Sequence, residues 1–319
     1  SSSIPDPLVA RRLSSVATLV RRLPGKTTEE PFFVPQDREV GAAVALTSDG
    51  WFVSMLSGIG NYRPSDLWLL WNGHAYAIKQ AIHDTATDAI FFKINVKDVP
   101  VSALVRAQNM VVGVPVWLEP RAGRLFPGWI ADVRMRHAGD LASSERASRR
   151  MLVSTSAMDT AWMGGAAWDG AGQLVGFMDR PLSGGWRLLP AGDVARSLES
   201  LLVNGKIIHA SLGVRASDLA HAVSEENLVT NRVRGAWLRA DRKLSLPAVD
   251  SQGPSGKILR EGDVIERMEH DILDGSADLG EWLLEYRPGT NGTLYGVREG
   301  KPMQWNVTLG SVVTSDIIL

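Results

Sequence analysis

The chain of 319 residues contains no cysteine. That absence excludes a disulfide framework, a thiolate zinc site and a cysteine nucleophile, and it suits a reducing compartment as well as a periplasm-like one. An excess of one charge sign is also missing. With 34 Lys and Arg against 35 Asp and Glu, the formal charge is -1, and no net field steers the chain toward nucleic acid or an anionic membrane. Nucleic acid is therefore not an expected partner. No uncharged apolar run approaches the ~18 residues of a membrane span, and Ser1-Ser2-Ser3-Ile4-Pro5 lacks the basic and apolar regions of a signal peptide. Tyrosine is scarce, 4 residues against 11 tryptophans; the indoles read as apolar filler for cores and seams.

Short apolar segments separated by turn residues fill the first part of the chain, at 41–46, 51–53, 67–71, 89–92, 111–118, 151–153 and 174–177. Such spacing, without long helical periods, predicts an all-β barrel or sandwich. The period changes at 191–202, where Val194, Leu198 and Leu201-Leu202 share a face and Asn204-Gly205 supplies a stop, so a helix is predicted there. Beyond it lie a strand at 235–238, a Gly- and Ser-rich loop at 251–256, and a helix from Ser276 with Leu279, Leu283 and Tyr286 on one face. Two strands close the chain, the second with Met303, Trp305, Val307 and Leu309 alternating with polar residues. The domains expected are 1–205, a β domain, and 206–319, a small α+β domain.

The order of these segments resembles the HtrA/DegP family of trypsin-like serine proteases. Residues 9–20 (VARRLSSVATLV) resemble its entry helix and first strand, and 41–53 (GAAVALTSDGWFV) its glycine-led hairpin with the Asp-Gly turn. The segment 84–94 (DTATDAIFFKI) is similar to the one holding its acidic triad member, and 164–176 (GGAAWDGAGQLVG) to the stretch after its nucleophile. Residues 186–202 resemble the segment closing the barrel, 206–214 (KIIHASLGV) the approach to its PDZ domain, and 261–265 with Arg287-Pro288-Gly289 the landmarks of that domain. The resemblance implies a mostly β fold, a trypsin-like double β-barrel followed by a PDZ domain.

The family's chemistry needs a serine hydroxyl, an imidazole to take its proton, a carboxylate to orient the imidazole, and backbone donors for the oxyanion. Counting from the Asp49-Gly50 turn, the histidine position holds Ser57, whose hydroxyl titrates far outside the range in which imidazole accepts and returns a proton. Asp88 stands at the carboxylate position. Counting back from Gly164-Gly165, the nucleophile position is Met163, whose thioether has no ionisable proton. The oxyanion turn, a glycine in the family, reads Ala161. The expectation is a degenerate site and a pseudoprotease rather than an enzyme, with no cofactor and no metal. Two alternatives stay open: a serine endopeptidase using His83, Asp88 and another serine, and a metal-binding barrel using His74, His83 and Asp84. Ser183-Gly184-Gly185 imitates a nucleophile motif but reads as a loop.

PDZ domains bind an extended C-terminus by strand addition, its carboxylate received by a loop of backbone amides. By resemblance that loop is Ser211, Leu212, Gly213 and Val214, and the opposite wall is the helix bearing Gly280 and Leu284; the loop 251–260 stands where a compact turn is expected. Partners implied are protein C-termini or extended peptides. The resemblance further implies a homo-trimer through residues 8–23 or co-assembly with an active homologue, and a periplasmic or otherwise extracytoplasmic place, with any anchor outside this chain.

Overall fold

The computed structural model describes residues 15–29, 32–105, 110–135, 141–147, 149–156, 163–221, 232–275 and 277–317. They form two compact units, one of Ser1–Met135, Arg150–Ala195 and Ser315–Leu319, the other of Arg136–Arg149 and Arg196–Thr314. In place of the single division after residue 205 expected from the sequence, the chain passes between units at 135/136, 149/150, 195/196 and 314/315. The segment between two barrel strands joins the second unit, and the last strand returns to the first.

In the first unit, β1 (Val16–Arg21), β2 (Glu39–Ala45) and β3 (Trp51–Met55) lead into a one-turn helix α1 (Leu56–Ile59), followed by β4 (Leu67–Trp71), β5 (His74–Ala77), β6 (Gln80–Asp84) and β7 (Ala89–Lys93). The β2–β3 turn is set by Thr47, whose hydroxyl donates to Asp49 Oδ1 at 2.5 Å and accepts from Trp51 N at 3.0 Å. Every residue of β3 is buried. Leu19, Phe52, Ile90 and Phe92 are fully covered and fill the first core.

β8 (Pro115–Arg121) and β9 (Arg124–Met135) come next. β10 (Ala142–Ser143) joins the second unit's sheet. β11 (Arg150–Ser154), β12 (Ala166–Trp168), β13 (Leu174–Leu182) and β14 (Gly185–Pro190) then complete a closed six-stranded barrel, in the order β11-β14-β13-β12-β8-β9. Val116, Leu118, Ile130, Val153 and Trp186 fill it. Trp68, Trp168 and Trp186 are fully buried, as the filler reading expects, whereas Trp129 is exposed. Trp168 also donates its Nε1–H to buried Glu119 at 2.8 Å. Ser183 and Gly184 form the turn between β13 and β14, and Gly185 opens β14.

The helix α2 (Ala191–Asn204) follows. It buries Val194, Leu198 and Leu201, but Leu202 faces solvent, because the next residue along a helix is rotated about 100° off the buried face. The second unit contains β15 (Ile208–Ser211), β16 (Arg215–Asp218), β17 (Ala236–Leu238), β18 (Val264–Met268), β19 (Asp271–Ile272), α3 (Leu279–Leu284), β20 (Asn291–Arg298), β21 (Lys301–Thr308) and β22 (Gly310–Val313). Its main sheet runs β10-β16-β17-β18-β20-β21, with β19 paired to β18 and β15 paired separately to β22. The helix starts at Leu279, later than the sequence suggests, because Asp278 and Glu281 form a capping box: Glu281 N donates to Asp278 Oδ1 at 2.7 Å and Asp278 N to Glu281 Oε2 at 3.2 Å. Leu279, Leu283, Trp305, Val307 and Leu309 are buried as their spacing predicts. The last strand, β23 (Ser315–Ile317), pairs with β6, giving the first unit a sheet ordered β23-β6-β7-β3-β2-β1-β4-β5. Among the described residues this sheet ends at β5 and β23, while the second barrel closes.

Candidate functional site

The three positions expected from the sequence, Ser57, Asp88 and Met163, all lie in the first unit. α1 follows β3 without a break and presents Ser57. The loop after β6 presents Asp88, whose C=O accepts from Leu56 N at 3.0 Å. Met163 offers its C=O to Ala42 N at 2.9 Å on β2, and a Cβ built on Gly58 would lie 3.1 Å from Met163 Cβ. Its side chain packs against the core of the second barrel. Ala161 lies outside the described residues.

Asp88 is held by a compact turn around Asp84, which is fully buried. Asp84 Oδ1 accepts from Ala86 N at 3.0 Å and Oδ2 from the Thr87 hydroxyl at 2.9 Å, while Asp84 C=O accepts from Asp88 N at 2.8 Å. Asp88 has φ +65°, a left-handed value that Asp tolerates better than most residues. Replacing Asp84 by Ala removes both acceptors from buried donors. The expected loss is about 1–3 kcal/mol, readable as a lower urea midpoint with an unchanged slope.

The neighbours of these positions are ones that sequence reasoning missed. Asp179 on β13 is buried, and its Oδ2 accepts from Arg150 Nε on β11 at 3.2 Å and Arg187 Nε on β14 at 2.7 Å. The Ser57 hydroxyl donates to Asp179 C=O at 2.5 Å, with Asp179 Oδ1 3.1 Å away. Arg150 also donates to Thr87 C=O at 2.8 Å and stands 3.9 Å from Asp88 Oδ2. Burial holds the Arg187 guanidinium below its ordinary pKa; Asp179 opposes that shift and the Arg150 charge reinforces it. Asp88 thus faces a guanidinium. The signal available in the sequence was Asp179 itself, a carboxylate directly after the apolar run LVGFM of 174–178, since a buried charge demands a partner.

His83 Nε2 is 3.8 Å from Asp88 Oδ1, beyond hydrogen-bond reach. No hairpin joins His74 to His83: His74 pairs with Trp71 across β4, and His83 with Ile90 and Asp316 across β7 and β23. Among the described residues, no group of three or more His, Asp or Glu side chains has metal-binding placement.

In the second unit, Leu212 and Val214 turn their side chains into the core, so the loop's outward groups are the Ser211 hydroxyl and backbone amides. Gly213 adopts φ +70°, and a Cβ there would lie 3.2 Å from Gly253 Cα and 3.3 Å from Pro254 Cδ; the loop 251–256 therefore backs it closely. β16 leaves this loop and carries β10 on its edge, antiparallel, with Ala142 opposite Ala216 and Ser143 opposite Arg215. Past β10, Ser144 N donates to Val214 C=O at 2.9 Å, and Val214 N to the Ser144 hydroxyl at 3.1 Å. Glu145 Oε1 accepts from Gly213 N at 2.9 Å and the Ser211 hydroxyl at 2.7 Å. The contacts of this segment with α3 are made at Gly280, where a Cβ would come within 2.0 Å of Arg146 C=O, and at Glu281, 3.5 Å from Arg149 Nε. Leu284, a turn further on, is buried.

No family model matches the chain. It is 24% identical over 254 residues to the serine protease Do-like HtrB of Bacillus subtilis (strain 168), a match covering 75% of this chain and 55% of that protein's length. In fold it is similar to the HtrA-type protease AlgW with a decapeptide, at TM-score 0.66 and 18% identity, covering 96% of this chain and 98% of that one. The serine endoprotease from Yersinia pestis matches at TM-score 0.60 and 16% identity, over 98% and 99% of the two chains. The sequence is thus similar to that of a Do-like serine protease, and the mostly β fold in two units is similar to those of HtrA-type proteases. No helix among the described residues is long and apolar enough to cross a membrane.

Proposed function

We propose that this HtrA-like chain is a pseudoprotease, a scaffold or regulator that binds protein termini or extended peptides through its second unit and does not hydrolyse them. The observation that carries the reading is the company kept by the triad positions. Met163 has no ionisable proton to lose, and the Ser57 proton is committed to Asp179, itself fixed between Arg150 and Arg187. A guanidinium stays protonated throughout the physiological range and cannot serve as a general base. Peptide binding is supported by the Ser211 hydroxyl and the Gly213 N–H, which together hold a carboxylate, and by the peptides in the AlgW structures. Extracytoplasmic residence, a role in protein quality control, and assembly as a trimer or with an active homologue belong to the same reading.

The test is incubation with fluorescein-casein and a fluorophosphonate probe, followed by mass spectrometry. The expected result is neither peptide release nor a labelled serine. A serine that labels, and whose change to Ala abolishes casein cleavage, overturns the proposal in favour of an endopeptidase.

A further inference from the structure

We infer that the peptide groove of the second unit is filled in cis by residues 142–147, the Glu145 side chain occupying the seat of a ligand's terminal carboxylate, so that a chain end enters only by displacing this segment. The inference rests on the peptide-binding reading above and concerns regulation of that same site.

Four features support it independently. The segment uses strand addition, the mode expected of a ligand, and extends the edge of β16 antiparallel toward the loop. Its pairing does not stop with β10: Ser144 exchanges bonds with both the N–H and the C=O of Val214. At the end of that run a carboxylate meets the loop's outward donors, the Ser211 hydroxyl and the Gly213 N–H, as an incoming C-terminus would. On the other wall, the chain passes so close to α3 that Gly280 has no room for a side chain, and Ala147 is almost wholly covered.

A real terminus ends at its carboxylate, but this chain must continue to β11. The conflict is resolved by a tight turn, Arg146 N donating to Ser143 C=O at 3.1 Å, which lets the Glu145 side chain point into the pocket while the backbone leaves. Burial alone raises the Glu145 pKa, but hydrogen bonds from the hydroxyls of Ser143, Ser144 and Ser211 and from Gly213 N outweigh it, and the net shift is downward. The group is thus kept as the anion the loop favours. Because occupant and groove share one chain, the competing concentration is on the order of millimolar, and a free peptide of micromolar intrinsic affinity is held back accordingly.

The experiment compares the intact protein with Glu145→Ala, which removes the carboxylate, and Ser144→Pro, which removes the N–H paired with Val214. Amide exchange at Gly213 and Val214 and trypsin cleavage after Arg146 report docking without any ligand. Anisotropy of fluorescein-labelled nonapeptides with free C-termini ending in Ala, Val, Leu or Phe reports access. In both variants exchange and cleavage should rise at least tenfold, and at least one peptide should bind at least tenfold more tightly than to the parent, with its C-terminal amide not binding. Unchanged exchange and cleavage overturn the docking itself. Opening with equal peptide affinity in all three proteins overturns the gating and leaves peptide binding intact. Opening with no peptide bound by any of them overturns the gating together with the peptide-binding reading.

Discussion

Asp179→Ala is expected to destabilise the first unit by about 3–5 kcal/mol, because it strips the counter-charge from two buried guanidiniums. The side chains of Asp179, Arg150 and Arg187 are only 4%, 6% and 11% exposed. Solvent therefore screens the orphaned cations poorly, and neither can shed its proton to escape. For a unit of this size such a loss corresponds to about 10 °C in melting temperature, measurable by calorimetry or near-ultraviolet circular dichroism. Asp179→Asn keeps the shape and removes the charge, so its loss should be smaller. Combining Asp179→Leu with Arg150→Met and Arg187→Met should recover much of the stability, because the price of the cluster is desolvation and hydrophobic replacements avoid it. A melting temperature unchanged by Asp179→Ala would refute the view that these charges hold the site together.

Gly164→Ala is expected to cost about 3–5 kcal/mol, for two reasons acting at one residue. Its φ of +83° is strained for any residue with a side chain. A Cβ would also lie 2.1 Å from Ala42 C=O and 2.2 Å from the Ser54 hydroxyl, so β2 or β3 must move. The Ser54 hydroxyl already donates to Ala42 C=O at 2.6 Å, which binds the two strands behind the turn. Chemical denaturation of Gly164→Ala beside Gly60→Ala, where φ is also positive but a Cβ meets nothing within 4 Å, separates overlap from backbone strain. Equal losses at the two positions would show that crowding contributes nothing.

The β-rich architecture was legible because short apolar runs, turn residues and the alternation at Met303 to Leu309 are local signals that the structure retains. Ser57 and Met163 were counted from turn glycines and Asp88 came with the segment 84–94, and local backbone contacts place Leu56 beside Asp88 and Gly58 beside Met163. What surrounds them was not legible. Arg150, Asp179 and Arg187 stand on three different strands, and only the pairing of β14 with both β11 and β13 makes them neighbours. The same holds for the groove. Ser211 and Gly213 were singled out by resemblance, but Glu145, 66 and 68 residues away, reaches them only through a tertiary pairing with no local periodicity. His74 and His83 are nine residues apart in the chain, yet they stand on β5 and β6, each paired to a different neighbour.

The crossings of the chain between units bear on how the second one should be handled. A fragment cut at the obvious helix, running from Arg196 to Thr314, would keep the sheet and α3 but omit the stretch from 141 to 149. Such a fragment would present a bare edge at β16, without the segment that pairs with it in the parent molecule. It would also surrender β23, leaving β6 in the remaining piece with an unpaired flank open to self-association.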